Sequence, residues 1–374
     1  MEYRKMEKLG VETSLLGFGC MRFPVNAEGK IDRVRAKAML QEAIAAGVNY
    51  IDTAYPYHSG ESEPFVGEVL KEYKREDFYL ATKLPMWNVK EESDVMRLLN
   101  EQLERLQMEY IDFYLLHALN KDHFETIKRL GIVDILEQAR KDGKIRYLGF
   151  SFHDSYEVFE EIVNYHNWDF CQIQYNYMDT DVQAGDKGYQ LTVEKGIPLV
   201  IMEPIKGGAL VGFSEDITEM FHKQDENASL ASWALRWVAS HENVKVVLSG
   251  MSTEEHVKDN LHTFAPFKSL TEEEQTLIKK VVETVNSRVK NGCTGCSYCM
   301  PCPFGVDIPT NFSIWNEYGM YNNAKKAKNR YNYLDEAKRA NQCQGCGACE
   351  AVCPQKLSIR DNLAAVAAEM ENLK

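Results

Sequence analysis

Short apolar runs that stop on a polar or small residue recur along the first 268 positions. They are Leu15–Gly19, Val48–Asp52, Phe78–Lys83, Tyr110–His117, Tyr147–Ser151, Phe170–Tyr175, Pro198–Met202 and Val244–Ser249. Runs this short and continuously apolar read as strands buried on both faces. Between them lie stretches of helical period: Arg33–Ala46, Ser62–Leu70, Ser93–Leu106, Ile132–Lys141, Ser155–Tyr165, Val182–Glu194, Ala228–Ser240 and Thr253–Leu261. Gly47 is the expected stop of the first helix and Ser62 the expected N-cap of the second. The period is weak over Asp179–Gly188 and Gly212–Gln224.

Eight strand–helix units at this spacing fill the roughly 250 residues of a (β/α)8 TIM barrel. An open doubly wound sheet would want a glycine-rich phosphate fingerprint after an early strand, and Gly17-Phe18-Gly19-Cys20-Met21-Arg22 lacks the final glycine. The expectation is therefore an α/β barrel over 1–268. A connecting helix over 269–290 follows. Its core, Thr271–Arg288, opens with a capping-box pattern and reads as laid against the barrel. A compositionally different domain runs from 291 to 374.

Composition narrows the function. Of 374 residues 26% are charged, and the formal charge of −13 disfavours nucleic acid or an anionic membrane surface as partner. The opening MEYRKMEKLG carries no apolar signal core, and no apolar run reaches membrane-spanning length, so a cytoplasmic protein is expected. Ten cysteines are present, eight of them between Cys293 and Cys353. A disulfide framework suits a short secreted chain, not this one. Cys20 and Cys171 read as packing residues.

A strand tip ending in a carboxylate, with a phenol five residues on, is costly in a core and useful for moving protons. Asp52 with Tyr57, Lys83 and His117 stand at or just past three such tips. In a barrel these tips share one face, where catalytic residues gather. Lys83 is expected to pair with Asp52 and to lower the pKa of the Tyr57 phenol, while His117 orients a carbonyl oxygen or shares the proton. A strand-end salt bridge with two satisfied polar neighbours is the structural alternative.

With these residues in hand, the chain resembles the aldo-keto reductase family over about 1–268. The match is carried by Asp52-Thr53-Ala54 with Tyr57, Lys83, Leu115-Leu116-His117, Gly149-Phe150-Ser151, Gln172 to Asn176, the Pro204/Gly207 segment, and Ser249-Gly250-Met251-Ser252 leading to Asp259-Asn260. The resemblance implies hydride transfer from NADP or NAD to a carbonyl or enone. Tyr57 would be the proton donor, and Asp52, Lys83 and His117 would tune it. Ser151 and Gln172 would hold the carboxamide, and the loops after the last two strands, with Lys206 and Asn260, the phosphates. Three positions depart from the family pattern: Phe152 replaces an Asn, Met202 replaces an aromatic platform for the nicotinamide, and Gly250 and His256 stand where basic residues usually grip a 2′-phosphate. Little preference for NADPH is the expectation.

The remaining cysteines form two runs: Cys293-x2-Cys296-x2-Cys299-x2-Cys302-Pro303, and Cys343-x2-Cys346-x2-Cys349-x3-Cys353-Pro354. The second is the bacterial ferredoxin run, and the first is one residue short before its last Cys. In such pairs three thiolates of a run hold one [4Fe–4S] cubane and the fourth reaches the other. Cluster one is then expected on Cys293, Cys296, Cys299 and Cys353, and cluster two on Cys343, Cys346, Cys349 and Cys302. Structural zinc is the alternative. With Phe304–Gln342 reading as helices, this looks like an α-helical ferredoxin-like domain, and the whole resembles the ferredoxin-fused branch of the reductases. The cations at Lys325–Lys328 and Lys338-Arg339 read as a solvated face, or else as a dock for an acidic electron-carrier protein. Two other readings remain open: a reductase fed by the clusters through a flavin at the phosphate site, and a nicotinamide-binding redox sensor with structural clusters.

Overall fold

The computed structural model describes residues 1–373 and divides into two compact units. One comprises Met1–Gly207 with Ser229–Thr271, the other Gly208–Ala228 with Glu272 onward.

The first unit opens with a hairpin, β1 (Tyr3–Met6) and β2 (Val11–Ser14), turned at the left-handed Gly10. Eight parallel strands then close a barrel: β3 (Leu16–Gly19), β4 (Tyr50–Asp52), β5 (Tyr79–Leu84), β6 (Ile111–Leu119), β7 (Ile145–Phe152), β8 (Phe170–Gln174), β9 (Leu199–Met202) and β10 (Val244–Ser249). Neighbours in sequence are neighbours in the ring, and β10 returns to β3 with Val247 opposite Leu16. Each strand matches one of the apolar runs to within two residues at either end.

The barrel is filled, not hollow. Tyr50, Phe113, Phe170, Val200 and Val246 pack inside it, and Met6 enters from the hairpin. The Phe113 ring lies 5.0–5.1 Å from those of Tyr50, Tyr147 and Phe170. Burying side chains of this size stabilises by about 1.5–3 kcal/mol each. Gly149 is required by close approach, since a Cβ there would fall 2.6 Å from the Phe170 carbonyl oxygen on β8.

Several local expectations need correction. The hairpin escaped the pattern because its strands are four residues long and largely polar. The helix Lys121–Leu130 escaped it because only Phe124 and Ile127 are buried. Ser62 is not an N-cap: the cap is Glu61, and the Ser62 hydroxyl instead bonds Thr53 Oγ1 at 2.8 Å and the Cys20 carbonyl at 3.2 Å. β6 does not stop at His117. It continues to Leu119 through a register shift at which Ala118 takes φ +53°.

In the second unit, Val306, Phe312, Ile314, Leu363, Val366 and Met370 form an apolar core between the helices Ile308–Tyr321 and Ile359–Asn372. The helix expected against the barrel, observed as Glu272–Asn286, packs on the helix Glu215–His222, which belongs to the same unit. Arg288 reinforces that contact, donating to Ser214 Oγ at 2.6 Å and pairing with Asp216. Among the described residues no helix is long and apolar enough to cross a membrane.

Candidate active site and thiol recesses

Parallel strands bring their C-terminal tips to one end of the barrel, and the four polar tip residues meet there. Lys83 on β5 is fully buried, and its Nζ donates to Asp52 Oδ1 at 2.7 Å, the Thr53 carbonyl at 2.8 Å and Tyr57 OH at 3.3 Å. An ammonium has three donors, and this site uses all three. Tyr57 lies largely buried in the loop after β4, its ring edge-on to His117 with centroids 6.3 Å apart. The residues after it, His58 and Ser59, sit at φ +51° and +54°. Together with Ala118 beside His117, they make three non-glycine left-handed residues next to the Lys83–Tyr57 contact; such strain tends to gather at functional sites.

The electrostatics follow from burial. Desolvation opposes the Lys83 ammonium, but Asp52 and Tyr57 together outweigh it and hold the group charged above its ordinary value. Burial raises Asp52, and Lys83 resists that rise. For Tyr57 the expected lowering is not found: burial pushes the phenol above its ordinary value, and Lys83 only partly offsets it. Lys83 therefore restrains the desolvation penalty and does not produce a net acidification. His117 is driven well below the ordinary imidazole value, first by burial and then by Lys83, so it is neutral at physiological pH.

Asp52 Oδ2, His117 Nδ1 and Gln172 Oε1, all at this end, have no hydrogen-bond partner among the described residues. Gln172 pairs in register with Ser151, and both side chains are buried. Ser151 Oγ accepts the Ala118 N–H at 2.8 Å, tying that tip to the bulge behind His117. An orphaned, desolvated amide oxygen is costly unless a donor arrives, and the carboxamide NH2 of a nicotinamide is such a donor.

The other cofactor candidates are scattered. Met202 is half-buried at the end of β9. Lys206 is not free, since its ammonium rests on Asp179, which also accepts from Gln174 and Asn176. At Gly250 a Cβ would stand 2.8 Å from Arg22 Cγ, so the stem of Arg22 fills the place a side chain would need. His256 Nδ1 accepts the Ser252 N–H at 3.3 Å, and Asn260 donates to Ser249 Oγ. Phe152 turns into the core against Phe159, centroids 5.1 Å apart.

Sequence reasoning missed the shell beneath Lys83. Gln102 donates to the Lys83 carbonyl at 3.0 Å and to Glu63 Oε1 at 2.6 Å, and Thr82 also donates to Glu63. The available signal was polar residues at core positions of two apolar helix faces, Glu63 beside Phe65 and Val66, and Gln102 beside Leu98, Leu99 and Leu106. Trp87 was missed too. Its ring is tilted against that of His117, centroids 5.0 Å apart, and forms an exposed aromatic wall.

All ten cysteines of the chain are free, and in the second unit the eight clustered thiols divide into two sets. Cys293, Cys296, Cys299 and Cys353 line one recess of ≈330 Å³, and Cys302, Cys343, Cys346 and Cys349 line another of ≈310 Å³, open solvent included in both. These are the same two crossed sets of four read from the spacing. The linker cations are engaged close by: Lys326 and Arg330 pair with Glu317, Lys338 with Asp335, and Lys328 donates to the Met370 and Glu371 carbonyls.

Comparison with known proteins gives two family matches: the aldo/keto reductase family over residues 15–283, and a 4Fe-4S dicluster domain over residues 292–357. Glyoxal reductase of Bacillus subtilis is 31% identical over 260 residues, spanning 66% of this chain and 81% of that protein. NADH-specific methylglyoxal reductase of Escherichia coli is 24% identical over 301 residues, 69% of this chain and 90% of that one. The holo form of an aldo-keto reductase from Bacillus halodurans superposes with a TM-score of 0.63 at 27% identity, covering 75% of this chain and 96% of that one.

Proposed function

This chain belongs to the aldo/keto reductase family and carries a 4Fe-4S dicluster domain, and from that premise we propose that it reduces a small carbonyl or enone substrate with Tyr57 as the proton donor. The observation that carries the reading is the triple contact of Lys83 with Asp52, the Thr53 carbonyl and Tyr57 OH.

A nicotinamide dinucleotide, when bound, supplies the hydride. The chain's own groups do the rest. As negative charge grows on the substrate oxygen, Tyr57 hands over its proton. Lys83, 3.3 Å away, stabilises the phenolate left behind, and Asp52 fixes the ammonium in place. Neutral His117 offers a hydrogen bond that orients the oxygen, and Trp87 walls the substrate. Gln172 and Ser151 are the residues suited to a carboxamide. Glyoxal and methylglyoxal reductases among the relatives support a small carbonyl as substrate class.

The two recesses suit two [4Fe–4S] clusters, each held by three thiolates of one run and one of the other. Four thiolates could also hold a zinc ion, and the ferredoxin spacing of the second run and the match to a 4Fe-4S dicluster domain favour cubanes. When bound, the clusters supply one-electron transfer, a relay role alongside the barrel chemistry.

Anaerobic reconstitution followed by a carbonyl and enone screen with NADH and NADPH tests the whole reading. A flavin spectrum, or dinucleotide binding without turnover of any substrate, would count against it. NADPH should be preferred over NADH by less than tenfold, about 1.4 kcal/mol, because Gly250 offers no side chain and Lys206 is spent on Asp179. A hundredfold ratio of kcat/KM values would instead assign phosphate reading to Arg22 or Lys258. Cys302→Ala should remove the cluster on Cys343, Cys346 and Cys349 while sparing the other. Iron counting and EPR check this, and loss of the Cys293 cluster alone would refute the crossed ligation.

A further inference from the structure

The two thiol recesses are built on an internal repeat. Cys302-Pro303-Phe304-Gly305-Val306-Asp307-Ile308-Pro309-Thr310-Asn311-Phe312 aligns with Cys353-Pro354-Gln355-Lys356-Leu357-Ser358-Ile359-Arg360-Asp361-Asn362-Leu363. The structure repeats with it. Gly305 and Lys356 both take left-handed φ, +82° and +51°. Asp307 and Ser358 both stand at helix N-caps, and each opens a helix of 14 residues whose first residue, Ile308 or Ile359, is buried.

Under this correspondence one difference stands out. Pro309 and Phe312 face the first recess where Arg360 and Leu363 face the second. The first recess has no charged residue in its described lining, and the second has one, the Arg360 guanidinium. Its central carbon lies 3.8 Å from where a Cβ of Gly347 would be, in the loop joining Cys346 to Cys349. Glu350 anchors it, accepting from Arg360 Nε at 2.9 Å and from its backbone N–H at 2.9 Å.

A cubane on four thiolates gains one negative charge when it takes an electron, so a fixed cation beside it favours the reduced form. We propose that Arg360 makes the Cys302/Cys343/Cys346/Cys349 cluster the higher-potential one, so that the first electron delivered by an external one-electron carrier comes to rest there. The step is a single transfer: the carrier is oxidised by one electron and this cluster passes from [4Fe–4S]2+ to [4Fe–4S]1+, with no bond made or broken. The proposal rests on the crossed ligation above.

The test is a potentiometric titration of the reconstituted full chain, followed by EPR under anaerobic conditions, with dithionite as reductant. Two one-electron steps are expected. Arg360→Gln should lower only the upper step. At fixed ambient potential the reduced-to-oxidised ratio of that cluster should fall about threefold or more, the side chain being half-exposed and partly screened. Glu350→Gln, which removes the countercharge, should raise the same step, and Arg360→Lys should leave both steps in place. Movement of the lower step, of neither, or of both variants in one direction would overturn the proposal. If Arg360→Gln loses a cluster, Glu350→Gln decides alone, and failure of its upper step to rise refutes the idea. Iron content and integrated spin are measured first. Wild-type protein lacking two clusters' worth of either would refute the ligation itself, before any potential is compared.

Discussion

Replacing Tyr57 by Phe should cut the turnover of carbonyl reduction by about 10²-fold or more while leaving dinucleotide affinity nearly unchanged. The substitution deletes one oxygen, which accepts from Lys83, and leaves the ring in place. Lys83 keeps its two stronger contacts, to Asp52 and the Thr53 carbonyl, so the frame around it survives. What is lost is the proton and the phenolate's stabilisation in the transition state, so the loss belongs in kcat. Fluorescence titration of the dinucleotide alongside steady-state rates separates the two. Turnover within a few fold of wild type at saturating substrate would remove Tyr57 from its assigned role.

Lys83→Met carries the second large effect, and it is double. Turnover should fall about as far as in Tyr57→Phe, because nothing then opposes the burial that raises the phenol. Stability should fall by about 3–5 kcal/mol, since Asp52 would be left as an uncompensated buried carboxylate. Removing both partners discriminates between the two losses. Lys83→Met with Asp52→Leu should regain most of the stability, as paired removal of buried charges usually does, yet stay inactive. Chemical denaturation with a rate assay on the same samples checks this. Recovery of turnover in the double variant would reduce the pair to a structural salt bridge.

The barrel was legible because each strand is buried on both faces, and a continuous apolar run of five or six residues has few other uses. The polar tips were legible for the related reason that an apolar strand ending on Asp52 or Lys83 violates core chemistry. Elements held by few buried side chains were not. The helix Lys121–Leu130 hides its two buried apolar residues among charges, and the Glu215–His222 helix buries only Ile217 and Phe221. Thiol spacing gave the two sets of four directly, whereas the occupation of Lys206 by Asp179 depends on a loop fold that no local pattern encodes. The Tyr57 pKa was misread in direction because proximity to Lys83 is visible in a motif and desolvation is not.

The ring of strands closes only when β10 meets β3, with Val247 against Leu16. On the ribosome, then, no barrel exists until nearly the whole first unit has been synthesised, and its open edges must be kept from pairing elsewhere in the meantime. The second unit waits longer still. Its segment Gly208–Ala228 emerges before β10, while the helix Glu272–Asn286 that packs on it and both cysteine runs emerge afterwards. All barrel strands are thus made before the first cysteine of either run, so in iron-starved cells the ring should still close, while the second unit, deprived of its clusters, should lose stability.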